Sequence, residues 1–228
     1  MPIFPVTATV PNRPTIRAQI ACSERDPLVR AFTGRPGRFY EEDLLLALAR
    51  EYDAKGWAGG AILDVGSHVG NHSAFLAHLG PVYAFEADPR CQAAWLRTMD
   101  ATHPPNPAVL VPAPVWSEAR RMDISRNRTG RAHAVETERG VMSVTLDGVA
   151  SGMSVAIIKM DIEGGERHAL RGATRLLTTF TGPRPVLAIE CKSPEALTRV
   201  EAELRDIGAT YERGERYCAT PTYIFRPV

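Results

Sequence analysis

Two periods of apolar residues run through this chain, and the switches between them mark its elements. Ile62-Leu63-Asp64-Val65, Val82-Tyr83-Ala84-Phe85, Val109-Leu110-Val111, Val155 to Met160 and Pro185 to Ile189 are short, nearly unbroken apolar runs. Such runs predict strands buried on both faces of a parallel sheet. Between them the apolar residues recur every three or four positions. Leu44, Leu45, Leu48 and Tyr52 form one such set, Phe75, Leu76 and Leu79 a second. Leu170, Ala173 and Leu177 form a third, and Leu197, Val200, Leu204 and Ile207 a fourth. Each predicts a helix with one apolar stripe. Asp88-Pro89 reads as N-cap and first residue of another helix, over Pro89 to Ala101. Strands and helices in alternation predict an α/β, doubly wound, Rossmann-like fold with a mostly parallel sheet. The last two segments, near Thr210-Tyr211 and Thr222 to Phe225, predict an antiparallel edge.

Two regions depart from this rhythm. Residues 1–38 are rich in Pro, Arg and Thr with little periodicity, and are expected to form an irregular N-terminal arm ahead of a single domain over 39–228. Residues 117–147 read as a strand–loop–strand insertion facing the substrate. It carries Arg120, Arg121, Arg126, Arg128, Arg131 and Arg139: either a solvated loop or a wall that selects an anionic group. Val141 to Leu146 alternates as a strand should, ending at Asp147-Gly148.

Composition narrows the partners. The chain has 228 residues, enough for one α/β domain and short for two. Its 27 Lys and Arg against 26 Asp and Glu leave a net charge of +1, which gives no general attraction to nucleic acid or an anionic membrane. Cys22, Cys91, Cys191 and Cys218 are scattered without paired spacing, as in a reduced cytoplasmic protein. No apolar stretch is long enough to span a bilayer, and no signal peptide is apparent.

The chemistry concentrates at two strand ends. After Ile62 to Val65 the chain reads Gly66-Ser67-His68-Val69-Gly70 and then turns helical. Glycines there let a backbone approach a ligand, and a helix start suits a carboxylate or phosphate. Glu86, with Ala87 behind it, follows Asp64 by roughly 20 residues, the separation expected of an acid that grips ribose hydroxyls. Asp64 in the first turn would repel a pyrophosphate yet pair with an amino-acid ammonium. That combination favours S-adenosylmethionine, with Ser67 and Asn71 able to bond its carboxylate and Trp116 a candidate to flank its adenine. The second strand end is Asp161-Ile162-Glu163-Gly164-Gly165-Glu166. Strand alternation puts Asp161 and Glu163 on one side, where they could share a proton or a cation; Glu166 reads as a helix cap. His68 and His72 have the spacing of a metal pair but straddle a glycine turn, so they need not share a helical face, and no metal ligands are assigned.

ILDVGSHVG, VYAFEADP, VTLDGV, IIKMDIEGGERHALRGA and VLAIE, in that order, resemble the FkbM-type S-adenosylmethionine-dependent methyltransferases from about Tyr40 to Glu190. The resemblance implies a class I methyltransferase fold with a seven-stranded sheet. It implies methylation of a hydroxyl on a sugar, polyketide or similar metabolite. It places Asp64, Gly66, Gly70 and Glu86 on cofactor positions, and Asp161 with Glu190 at the catalytic crevice. Asp161 is then the first candidate for the base, with Glu190 supporting it; a divalent cation on Asp161, Glu163 or Glu190 is the alternative. Members of that family commonly carry Ala-Asn where Ser67-His68 stands, and often an aromatic pair where Asn71-His72 stands. An NAD-linked oxidoreductase and a non-catalytic binding module are the competing classes. The first lacks its Gly-x-Gly-x-x-Gly spacing here. The second would be expected to lose Asp64, Glu86 or Asp161. The acceptor's identity, O- against N-methylation and the oligomeric state are not readable from the residues.

Overall fold

The first 38 residues hide a strict alternation. The computed structural model describes residues 1–54, 56–57, 59–126, 132–179 and 183–228, with nothing to report of the side chains at 126, 132 and 133. In it, β1 (Ile3–Ala8) pairs antiparallel with β2 (Ile16–Ala21). Val6, Ala8, Ile16, Ala18 and Ile20 point inward while Thr7, Arg17 and Gln19 stay exposed. The irregular arm expected there is therefore a hairpin. Pro5 and the small, polar outward residues mask its period of two. Helix α1 (Leu28–Gly34) follows, and its Phe32 stacks on Phe4 at 5.3 Å.

Helix α2 (Glu42–Ala54) then leads into β3 (Ala61–Val65), α3 (Asn71–Leu76), β4 (Val82–Phe85), α4 (Pro89–Thr102) and β5 (Ala108–Val111). Asp88 caps α4 by accepting from the Arg90 N–H, with Pro89 pre-set for the first turn, as the sequence predicts. β3, β4 and β5 are parallel, with Ile62 beside Val82 and Val82 beside Ala108. Every residue of β3 is buried, including Asp64.

Met1–Val111 forms one compact unit and Pro112–Val228 another. The hairpin belongs to the first unit because α4 holds it. Thr98 and Thr102 of α4 each accept a backbone N–H of β2, from Ala21 and Gln19, at 3.0 Å.

The second unit opens with a three-stranded antiparallel sheet of β6 (Arg121–Arg126), β7 (Ala132–Glu136) and β8 (Val141–Met142). The strand expected over Val141 to Leu146 stops at Met142. Thr145 adopts extended backbone, accepts the Gly148 N–H and caps the short helix α5 (Leu146–Val149). A hydroxyl in the cap position outweighs strand propensity here. Then come β9 (Val155–Met160), α6 (Glu166–Arg171), α7 (Thr174–Thr178), β10 (Val186–Glu190), α8 (Pro194–Asp206), β11 (Tyr211–Tyr217) and β12 (Thr222–Pro227). β9 and β10 are parallel; β12 pairs antiparallel with both β10 and β11. The main sheet has seven strands in the order β11-β12-β10-β9-β3-β4-β5, mostly parallel with an antiparallel edge.

Among the insertion arginines, Arg120 is paired with Glu118 and Glu136, and Arg121 donates to the Gly140 carbonyl. Those two are engaged at the surface. Arg128, Arg131 and the Arg126 side chain lie outside the described residues.

Candidate functional site

The glycine turn is held in shape from beneath. Gly66, His68 and Gly70 all have positive φ, at 80°, 52° and 87°. The N–H groups of Gly66 and Ser67 both donate to the Phe85 carbonyl, which ties the turn to the end of β4. A Cβ on Gly70 would lie 2.9 Å from Trp95 Cδ1 and 3.1 Å from Met99 Cε, so both the dihedral and α4 demand glycine there. Asp64 has no exposed surface. It accepts from Ser73 Oγ at 2.6 Å, and that hydroxyl in turn accepts from Trp95 Nε1 at 2.9 Å. Asp64 is a strut under the turn, fixing α3 and α4 to β3. Asn71 is likewise engaged: its amide donates to the Tyr40 carbonyl and accepts the Tyr40 N–H, at 3.0 and 3.3 Å.

Glu86 and Ala87 sit half-buried just past β4. The two Glu86 carboxylate oxygens accept the N–H groups of His68 and Asp88, each at 2.8 Å. Burial pushes the Glu86 carboxyl above its usual range, while those amides and the nearby His68 charge pull it back. Ser67 is buried, and its hydroxyl has no hydrogen-bond partner among the described residues. An orphaned hydroxyl in a glycine turn fits a ligand carboxylate, and an acid with lone pairs to spare fits ribose hydroxyls. Those residues would hold S-adenosylmethionine.

Both histidines have carboxylate partners. His68 Nε2 lies 3.1 Å from Asp26 Oδ2, and His72 Nε2 lies 3.5 Å from Glu41 Oε2. Burial would lower the His68 imidazole, but hydrogen bonds to Asp26 and Cys91 and their charges outweigh it and raise it to about 10. The ring is partly exposed, so solvent screens the pair.

The second unit gathers three acids. Asp161, Glu163 and Glu190 each bring a carboxylate oxygen within 4.8 Å of the others. Asp161 follows β9, Glu190 ends β10, and Glu163 (φ 56°) with Gly164 (φ 104°) bends the chain between β9 and α6. Two carboxyl groups this close disfavour double ionisation, and they titrate as a pair. Burial first, then Asp161, raise Glu190 to about 8 against the opposing pull of Lys192. Lys192 is the member that sequence reasoning missed. Its ammonium is paired with Glu163 and lies 3.1 Å from Glu190 Oε2. A lysine two residues beyond a strand-end glutamate was the available signal. Glu166 takes the capping role expected of it, accepting the N–H groups of Ile162 and Gly164 at 3.3 and 3.2 Å. Trp116 stacks on the His168 ring, with centroids 3.8 Å apart and planes at 9°, which leaves at most one indole face for an adenine.

This sheet and this strand order define the class I methyltransferase-like fold. Solved structures share it. The precorrin-6y C5,15-methyltransferase of Geobacter metallireducens GS-15 matches with a TM-score of 0.52 at 13% identity, over 80% of this chain and 87% of that one. The T. thermophilus 16S rRNA N2 G1207 methyltransferase RsmC, solved with AdoMet and guanosine, matches with a TM-score of 0.51 at 15% identity, over 100% of this chain and 51% of that one. No curated protein matches the sequence. The methyltransferase FkbM domain family matches residues 64–211, well over half of the chain, and the protein belongs to that family. It is an S-adenosylmethionine-dependent methyltransferase.

Proposed function

We propose that the protein methylates a hydroxyl on a small molecule or glycan, with Asp161 accepting the hydroxyl proton. The observation that carries this reading is the cluster of Asp161, Glu163 and Glu190 at two strand ends, with Lys192 against it. An amine nucleophile with a free lone pair needs no base to start its attack; an alcohol does, and a carboxyl pair poised near neutrality suits that task. When bound, S-adenosylmethionine supplies a methyl group already activated by its sulfonium. What remains for this chain is to hold the acceptor and take its proton. Asp161 accepts that proton, Glu190 hydrogen-bonds Asp161 and buffers the charge, and Glu163 with Lys192 fixes Glu190. In the first unit, Glu86, Ala87, Gly66, Ser67 and Gly70 hold the cofactor.

Among the described residues no helix is long and apolar enough to cross a membrane. The balanced charge supports a metabolite acceptor rather than nucleic acid, and the free cysteines support a cytoplasmic setting. RsmC is a 16S rRNA methyltransferase solved with guanosine, so RNA is the second reading to test. Methyl-labelled S-adenosylmethionine is offered with sugar alcohols, hydroxylated polyketides, primary amines and structured RNA. Label entering an ether on the first two classes supports the proposal. Label entering only amines or RNA overturns it.

A further inference from the structure

His68, Asn71 and His72, in and just after the glycine turn, all meet the same segment. Residues 22–41 run from the end of β2 to the start of α2 and are tied to the glycine turn at three points. Asp26 pairs with His68, Glu41 with His72, and Tyr40 is bracketed by the Asn71 amide. One of these ties reaches the cofactor acid directly. The His68 N–H donates to Glu86 Oε2 at 2.8 Å, while its ring, held in a left-handed backbone position, is anchored to Asp26. Asp26 is itself fixed, since its Oδ1 accepts the Leu28 N–H at 2.9 Å. Strain at a non-glycine residue persists where the surroundings over-determine it, and it concentrates at functional sites.

We propose that Asp26 and His68 form a positioning pair for the ribose-gripping acid Glu86, which makes Asp26 a working part of the cofactor site. The proposal rests on the reading of Glu86 as that acid. The groups facing the imidazole are Asp26 before α1, Cys91 on α4 and Glu86 past β4, with Asp88 behind Glu86. Charges along this line alternate in sign: carboxylate, imidazolium, carboxylate. Asp26 keeps His68 charged, and the charged ring favours the ionised Glu86 that two ribose hydroxyls require. An anchored ring also fixes the amide that aims Glu86.

The test is calorimetric titration with S-adenosylhomocysteine and with 5′-methylthioadenosine, which has no amino-acid ammonium to titrate. Wild type is compared with Asp26→Asn, which keeps the Leu28 contact; with His68→Asn, which tolerates positive φ; and with their double variant. Each single change should weaken both ligands about five- to tenfold, and the double variant should be no weaker than either. Wild-type affinity for 5′-methylthioadenosine should fall as the pH rises towards about 10, where His68 loses its proton, and this fall should be absent in His68→Asn. Glu41→Gln, which loosens the same segment without touching Glu86, should bind like wild type. Singles within twofold of wild type, strictly additive losses, or an equal loss in Glu41→Gln would overturn the pair. Thermal melts identify any variant that fails to fold, and for that position Asp26→Glu, expected to restore affinity, replaces it. Absence of S-adenosylhomocysteine binding in wild type strikes the cofactor reading of Glu86 instead.

Discussion

Two strand ends in this protein carry acids, and they are built to opposite ends. In the first unit the acids meet uncharged donors: a hydroxyl on Asp64 Oδ2, two backbone amides on Glu86. In the second unit Asp161, Glu163 and Glu190 bring carboxylate oxygens within 4.8 Å of one another beside Lys192, and burial with Asp161 raises Glu190 to about 8. Fixed hydroxyl and amide donors hold a carboxylate in position, which is what binding requires. Carboxylates crowded together exchange protons near neutral pH, which is what acid–base chemistry requires. The comparison assigns holding to one unit and proton transfer to the other.

That assignment can be broken first at Asp161. Asp161→Asn keeps the shape and removes the base, so methyl transfer should fall about 10²- to 10⁴-fold while S-adenosylhomocysteine affinity stays within about twofold. Comparable loss in both would erase the division of labour. On the holding side, Gly70→Ala forces a left-handed alanine against Trp95 and should cost about 3 kcal/mol, lowering Tm by about 6–12 °C in a chain of this size. A melt unchanged within a degree would mean the turn relaxes freely.

The next effect is a pH dependence. Glu190 keeps its proton in the folded state up to about 8, whereas the unfolded chain releases it near the ordinary value of 4.5. Folding stability should therefore decline as pH rises between those values, and Glu190→Gln should flatten that decline. Denaturant melts across this range measure it; an equal slope in both proteins would show that Glu190 ionises normally. The smallest effect is expected of Lys192→Met. Its charge pulls Glu190 down, so its loss should move the acid limb of the pH–rate profile upward. Movement downward, or none, would remove Lys192 from the cluster's electrostatics.

Much of this was legible in the residues, for identifiable reasons. The five core strands and the helices around them announced themselves because parallel strands buried on both faces are written as continuous apolar runs. Glu166 was legible because capping is local. The N-terminal hairpin was not, since its inward residues are small or separated by Pro and Arg, and its dock on Thr98 and Thr102 lies roughly 80 residues away. The burial of Asp64 was hidden for the same reason: Ser73 and Trp95, which occupy its chain of bonds, are contributed by two later helices. The partners of His68 and His72 come from Asp26 and Glu41, which no spacing connects to them. Long-range polar pairing leaves no period in a sequence.

The most direct test of the central claim is calorimetric titration of the wild type and Glu86→Ala with S-adenosylhomocysteine, with NAD in parallel. The account predicts micromolar binding of S-adenosylhomocysteine, weakened about a hundredfold in Glu86→Ala through loss of the acceptor for two hydroxyls, and no binding of NAD. Equal binding by both proteins, or binding of NAD in its place, would contradict it.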